Sequence, residues 1–477
     1  MFIRIRMYRQ GLGDAFLLTF GDRHVLIDCG VFTGTPHEAA TIRAVADNIA
    51  AETKNRLSLL VATHEHWDHL SGFYYAAETF RRMQVDEVWL AWTENPDDPA
   101  AKSLQASRHL RLDAITSAVR RLNALGTTAA EQSQPLAATQ FGAAANEVNS
   151  VLEFFGIDAL GAKYSARTGE TMRNVASRDD ARIAYCEPGT TRQLADLPDI
   201  HWHILGPPRD LTLLHQSDPT PGRSEVYGFG AAMSADNSLA VALKMADPEG
   251  GVLTQADNEQ LMRSHPFDRN YQVPEQDGAA RYPSYFGAAE SWRRIDHDWL
   301  AAASELALQL DQDTNNTSLA LAIDLPGPDG GVLLFPADAQ VGNWLSWFTE
   351  KWSDPHRSGA MIGAADLLAR TILYKVGHHA SHNGTLREQG LERMTHPNLA
   401  AMIPVFEDFA RRAKGWDMPA EALYDRLLAK TRGRVLRGDR VYHSETRPDG
   451  VSAAEWEEFT RRVKAEDLWI DYVVSSE

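Results

Sequence analysis

The stretch that most limits what this chain can fold into is Ser58-Leu59-Leu60-Val61-Ala62, an almost wholly apolar run that ends directly in Thr63-His64-Glu65-His66-Trp67-Asp68-His69. The run has strand length and no polar alternation, which suits a strand buried on both faces. Its end displays four metal-capable side chains, His64, His66, Asp68 and His69, within six residues. Imidazole nitrogen and carboxylate oxygen are natural ligands for Zn2+ and also serve Mn2+ or Fe. In an extended or loosely turned loop His64 and His66 can point the same way, and the following turn can aim Asp68 and His69 at a second point nearby. The spacing therefore suggests two adjacent metals. A solvated polar loop would explain a lone histidine, but explains poorly three histidines and an aspartate after a buried strand.

Around this run the chain alternates strand and helix patterns. Phe2–Met7 alternates at period two, Gly11-Leu12-Gly13-Asp14 marks a turn, and Ala15–Phe20 and His24–Asp28 are apolar runs. Residues 37–53 and Leu70–Met83 read as helices, and Val85–Trp92 as the next strand. Residues 96–160 turn Ala-, Leu-, Arg- and Glu-rich with helical spacing. They form a helical insertion that covers one side of the core or caps the substrate. His201–Leu205 reads as a strand. Residues 207–310 form an irregular insertion whose parts 207–232 and 262–300 look like long surface excursions. Strand patterns resume at Ser318–Leu325, Val332–Phe335, Ile372–Val376 and Ala400–Pro404. The expectation is a single domain over 1–477.

Composition excludes some classes. A net charge of −18, from 47 basic and 65 acidic residues, works against non-specific attraction to a polyanion. Two basic runs, Arg411/Arg412/Lys414 and Lys430/Arg432/Arg434/Arg437, read as solvated faces. Cys29 and Cys186 are the two cysteines, too few for a disulfide framework, which points to the reducing cytoplasm. No stretch of about 18 apolar residues is present for a transmembrane helix. The start MFIRIRMYRQ lacks the apolar core and cleavage site of a signal peptide.

The His64-x-His66-x-Asp68-His69 pattern resembles the signature of the metallo-β-lactamase superfamily. More narrowly, the chain resembles the metal-hydrolase domain of competence-type DNA-uptake proteins and their soluble relatives. Gly11–Ala15, Val25–Gly30, Leu333–Asp338 and Lys375–Ser381 carry the narrower likeness, which covers about residues 1–95 and 310–440. The resemblance implies an α/β fold, an αββα sandwich with helical and loop insertions, and an active site at one edge where strand-end loops meet. It implies that His64 and His66 hold a first metal, that Asp68 and His69 hold a second, and that Asp338 bridges both. A histidine of the pair His378-His379 completes the second site, His379 being favoured over the alternative His378, and the other packs or hydrogen-bonds behind it. Asp14 and Asp28 orient ligand rings, with turn capping as the alternative, and His382 serves a ligand or the substrate. The cofactor is Zn2+, one or two ions, with Mn2+ or Fe possible.

One departure weakens the first metal. Many superfamily members supply it a further histidine from a place that corresponds here to Asn315-Asn316-Thr317-Ser318, which holds none. His201 and His203 lie upstream and read as ordinary strand histidines. Ala235–Leu243 echoes Asn315–Ile323 and offers Asn237 and Asp257 as rivals. The apolar quartet Val332–Phe335 before Asp338 is the stronger strand, so Asp338 is the expected bridge.

The implied reaction is metal-assisted hydrolysis, with Asp68 and Asp338 in the catalytic roles, Asp68 orienting the attacking water. His382, Lys375 or an insertion residue can serve the leaving group. By the resemblance the substrate is a phosphodiester, a nucleic acid or a nucleotide, which makes the chain a phosphodiesterase or nuclease. A small ester, lactone or thioester, or a catalytically silent binding scaffold, are the alternatives. No membrane partner is expected, and the sequence does not set the oligomeric state. Gly-x-Ser-x-Gly, P-loop and dinucleotide fingerprints are absent from the sequence.

Overall fold

The computed structural model describes residues 1–131, 142, 145–146, 148–157, 167–217, 219, 273, 275–286, 302–327, 330–442 and 446–475. Two sheets face each other. The first orders its strands Val463–Ala465, Trp469–Ser475, Ile3–Tyr8, Ala15–Phe20, Arg23–Cys29, Arg56–Val61, Gln84–Ala91 and Arg182–Cys186. The second orders Val435–Arg437, Ala400–Ile403, Thr371–Lys375, Val332–Phe335, Leu321–Asp324, Leu197–Ile204 and Thr191–Leu194.

Strand side chains alternate between two faces, and both faces of both sheets are covered. Ile5, Met7, Leu59 and Val61 of the first sheet meet Leu321, Ile323, Leu333 and Phe335 of the second in a core between them. On the outer side of the first sheet, Leu17, Leu26 and Leu60 pack with Ile42, Val45 and Ile49 of the helix Glu38–Glu52 and with Leu70. On the outer side of the second, Ala322, Leu334 and Tyr374 join Trp344, Leu367 and Leu423 from the helices Val341–Ser346, Ala364–Ala369 and Glu421–Thr431. The architecture is the αββα sandwich expected.

The strand that leads into the histidine cluster, Arg56–Val61, lies parallel between Arg23–Cys29 and Gln84–Ala91. Parallel neighbours need crossovers, and the helices on either side of it in sequence supply them. The helix expected over Leu70–Met83 instead begins at Trp67 and divides at Ala76 into Trp67–Tyr75 and Ala77–Arg82. Asp68 and His69 thus sit in a helical first turn. They read as loop residues because they are polar, yet both are fully buried. The strand expected over Ser318–Leu325 shortens to Leu321–Asp324; the helix Ala302–Asn316 ends just before Thr317, and Leu319 and Ala320 donate their N–H groups to Thr63 O and Gly206 O.

Within the first insertion, Pro99–Glu131 is one helix. Most of 207–310, including the echo Ala235–Leu243 with Asn237, and Asp257, lies outside the described residues. The sequence reading placed no partner beside Ile3–Tyr8 on its outer side. Trp469–Ser475 pairs there antiparallel, joined by the buried ion pair of Arg6 Nε and Asp471 Oδ1 at 2.7 Å. Cys29 and Cys186 are buried and unbridged, as small hydrophobes are. Among the described residues no helix is long and apolar enough to cross a membrane.

Candidate metal centre

The site begins at the end of the strand Arg23–Cys29, where Asp28 is fully buried. Its Oδ1 accepts from the Thr63 backbone N–H at 2.8 Å, and its Oδ2 from the Thr63 hydroxyl at 2.7 Å and from His69 Nδ1 at 2.8 Å. Because Thr63 Oγ1 gives its proton to Asp28, it accepts from His64 Nδ1, 3.1 Å away. One carboxylate thus sets the tautomer of two rings and leaves Nε2 of each facing inward. The neighbouring turn is tight. A Cβ on Gly13 (φ 142°) would stand 2.5 Å from Gly30 O and 2.7 Å from Asp68 O, and Asp68 O accepts from the Asp14 N–H at 2.9 Å. Only glycine permits that approach.

The other half comes from the second sheet. Asp338 follows Val332–Phe335, and His379 follows its parallel neighbour Thr371–Lys375. Ala337 (φ 52°), His378 (φ 45°), His379 (φ 49°) and Ala380 (φ 65°) all take left-handed backbone, a strain typical of functional sites. His69 Nε2 lies 3.2 Å from Asp338 Oδ2, and His379 Nε2 lies 3.5 Å from the same oxygen and 2.9 Å from Asp68 Oδ2. His379 Nδ1 donates to Pro404 O at 2.8 Å. Asp14, His69, Asp338 and His379 each offer a ligand atom within 4.8 Å of the others. Asp14 does so from behind. Its oxygens face Nδ1 of His69 at 3.9 Å and Nδ1 of His379 at 3.7 Å, and it pairs with Lys375.

His64 and His66 stand alongside, with ring centroids 4.8 Å apart and His64 4.2 Å from His69. The sequence reading missed Asp311. It projects from the helix Ala302–Asn316 with Oδ1 at 3.6 Å from His66 Nε2, while its Oδ2 accepts from Asn315 Nδ2 at 3.3 Å. The polar run Asp311–Asn316 before a buried strand was the available signal. Asn316 binds backbone at Gln216 and Gln340, and the Ser318 hydroxyl accepts from the Asp338 N–H at 3.2 Å. His201 and His203 contact Gln193 and Thr191, as ordinary strand histidines would.

The donor set fits a divalent cation. His64 Nε2, His66 Nε2, His69 Nε2, Asp68 Oδ1 and Asp311 Oδ1 are buried without a hydrogen-bond partner among the described residues. Each such atom costs on the order of 1–3 kcal/mol if left bare. Ligand atoms sharing a tetrahedral zinc stand about 3.3 Å apart for bonds of about 2.0–2.1 Å, close to the 3.2, 3.5 and 3.6 Å separations here.

Charge follows the same pattern. Burial alone would lower His69, but Asp338, Asp14, Asp28 and Asp68 hold it well above the ordinary histidine range. Burial would raise Asp338, yet His69, Lys375 and His379 hold it well below the carboxylate range. Burial pushes His66 down to about 3, and pushes Asp311 well up, helped by Asp68 and Asp338. Lys375, considered above for the leaving group, is buried and donates to Ala337 O at 2.9 Å, to Asp338 Oδ1 at 3.2 Å and to Asp14. It neutralises carboxylates instead.

The site opens on a cleft of about 980 Å³ bordered by Asp311, Gln340, His378 and His382. Phe154 and Trp416 stack on one wall, with centroids 5.2 Å apart and planes at 22°. Phe154 and Phe155 also flank His66 at 5.3 and 5.1 Å. The first insertion therefore reaches the site as well as covering the core. His378 Nδ1 lies 2.7 Å from Ser381 Oγ, and burial lowers that ring to about 4. The Gln340 amide is buried with neither side-chain atom hydrogen-bonded among the described residues.

Residues 8–85 match the family model of the metallo-beta-lactamase superfamily. The match spans Asp14, Asp28 and His64–His69 and stops before Asp338 and His379. No curated protein matches the chain. The superfamily consists mostly of metal-dependent hydrolases, and the convergence of His69, Asp338 and His379 provides a candidate site for such a metal.

Proposed function

We propose that this chain is a metal-dependent hydrolase of a compact, nucleotide-sized phosphodiester. The observation that carries this reading is the convergence of unpartnered, buried imidazole and carboxylate atoms from both sheets beside one cleft. His64 and His66 would hold one cation, and Asp68, His69 and His379 a second, with Asp338 between them. A bound divalent cation supplies Lewis-acid activation, lowering the pKa of water to about 7. Zn2+ suits the imidazole-rich set, with Mn2+ or Fe as alternatives.

The chain's own groups do the rest. Asp28 keeps His64 and His69 turned with Nε2 inward. Asp68 Oδ1 is free to orient the attacking water. Phe154 and Trp416 offer a stacking wall for a base, and Gln340 offers both an amide donor and an acceptor to the substrate. His382, on the cleft wall, contacts the substrate, and His378 is steadied by Ser381.

The basic runs argue for a compact substrate over a long polyanion. Arg412 pairs with Asp408 at 2.7 Å, Arg411 with Asp417 at 2.8 Å, and Lys414 with Glu153. Arg432 pairs with Glu455 at 2.6 Å and Arg437 with Asp439 at 2.8 Å. Lys430 donates to Glu392 O at 3.0 Å and Arg434 to Leu399 O at 2.9 Å. The narrower likeness to competence-type relatives rests on Gly11–Ala15, Val25–Gly30, Leu333–Asp338 and Lys375–Ser381, and it supports the phosphodiester.

The test is turnover by the zinc- or manganese-loaded protein of bis-p-nitrophenyl phosphate, a dinucleotide, single-stranded DNA and a panel of lactones. Hydrolysis of the first two, lost in Asp338→Ala, is expected. Lactone turnover with all three phosphodiesters untouched would replace the reading with an esterase one. No turnover together with no retained metal would leave a binding scaffold.

A further inference from the structure

We infer that Asp311 is a protein ligand of the cation held by His64 and His66, a carboxylate serving where the sequence supplies no third histidine. The inference rests on the metal-dependent reading above and adds a residue to it. Four observations carry it.

First, Asp311 Oδ1 stands 3.6 Å from His66 Nε2, beyond hydrogen-bond reach but near the spacing of two ligands on one tetrahedral ion. Second, both atoms are buried and neither has a partner among the described residues, so an Asp–His hydrogen bond does not explain the pair. Third, Asp311 is aimed. Asn315, one turn on, donates to its Oδ2 at 3.3 Å and leaves Oδ1 as the free oxygen. The carrying helix is tied to the helix Pro99–Glu131 by Arg111 and Asp313 at 2.7 Å.

Fourth, Asp311 borders the cleft, so the cation it helps to hold faces the substrate.

Metal content decides the matter. Wild type, Asp311→Asn and Asp311→His are loaded with Zn2+, freed of excess and measured by mass spectrometry, and Co2+ titrations are followed by visible absorption. Wild type is expected to hold about two equivalents, Asp311→Asn about one, and Asp311→His about two again, because imidazole is a ligand and a neutral amide is a poor one. The cobalt titration of Asp311→Asn should lose one of its two phases. Folding is checked by melting in chelator, where the isosteric Asn should be no less stable than wild type, since it removes a buried charge. Equal metal content in wild type and Asp311→Asn, with both melting normally, overturns the inference and leaves the two-histidine assignment standing. A wild type that retains no metal overturns the underlying reading and the inference with it.

Discussion

Arg108, on the long inserted helix, forms a buried ion pair with Glu65, the residue between His64 and His66. The same guanidinium reaches Glu94 at 3.3 Å, and Glu65 also accepts from the Thr168 hydroxyl at 3.1 Å. The inserted helix therefore holds the metal-facing loop from outside. Breaking such a pair strands the remaining charge. Arg108→Met should lower unfolding free energy by about 3–5 kcal/mol, read by urea denaturation. The double variant with Glu65→Gln should recover part of that loss, and no recovery would mean that Arg108 acts elsewhere.

Asp28 sets two ring orientations through three hydrogen bonds. Removing such a partner weakens metal binding without removing a ligand. Asp28→Asn should fold and should lose about 10–100-fold in zinc affinity, measured by competition with a chromogenic chelator. An unchanged affinity would reduce Asp28 to a turn cap.

Lys375 lies between Asp14 and Asp338. In chelator, Lys375→Met should destabilise the fold by about 3–5 kcal/mol, because two buried carboxylates lose their cation. Saturating zinc should narrow the gap to wild type, since the metal takes over part of the compensation. Melting curves with and without zinc test this, and a gap of equal size in both would argue that Lys375 acts through packing alone.

Asp324 is buried beside His203, Arg370 and His356. Burial alone would raise its carboxyl, but those partners hold it at about 2, below the ordinary 3.8. A depressed carboxyl stabilises the fold above its unfolded value and loses that contribution as pH falls through the folded value. The shift corresponds to about 2 kcal/mol at neutral pH. Asp324→Asn should therefore be less stable than wild type at pH 7 by about that much, with the difference shrinking between about pH 4 and pH 2. A difference independent of pH would assign the loss to hydrogen bonds rather than ionisation.

How far the sequence reaches differs by residue. Ser58–Ala62 announces a doubly covered strand because burial on both faces leaves no polar position, and Arg56–Val61 has parallel strands on both sides. The structure places His64, His66, Asp68 and His69 near Asp338 and His379, two residues that only the family resemblance, and not local spacing, linked to the cluster. Arg108 left no signal in the sequence, and Asp311 left only the polar run Asp311–Asn316 before a buried strand. Each lies on a helix whose own pattern is ordinary, and each matters only because Ala302–Asn316 and Pro99–Glu131 pack together over the loop. The start of the helix at Trp67 was missed for a related reason: Asp68 and His69 are polar in type but buried in place. One-dimensional periodicity scores residue type and cannot register that inversion.

The antiparallel pairing of Ile3–Tyr8 with Trp469–Ser475 bears on the order in which the molecule is made. During synthesis every proposed ligand, through His379, leaves the ribosome before residue 469 exists. The metal-facing loops can therefore meet while Ile3–Tyr8 still has an open edge, before Arg6 can pair with Asp471. Until Trp469–Ser475 arrives, the nascent chain carries an unpaired strand edge at Ile3–Tyr8, the kind of surface on which chains associate.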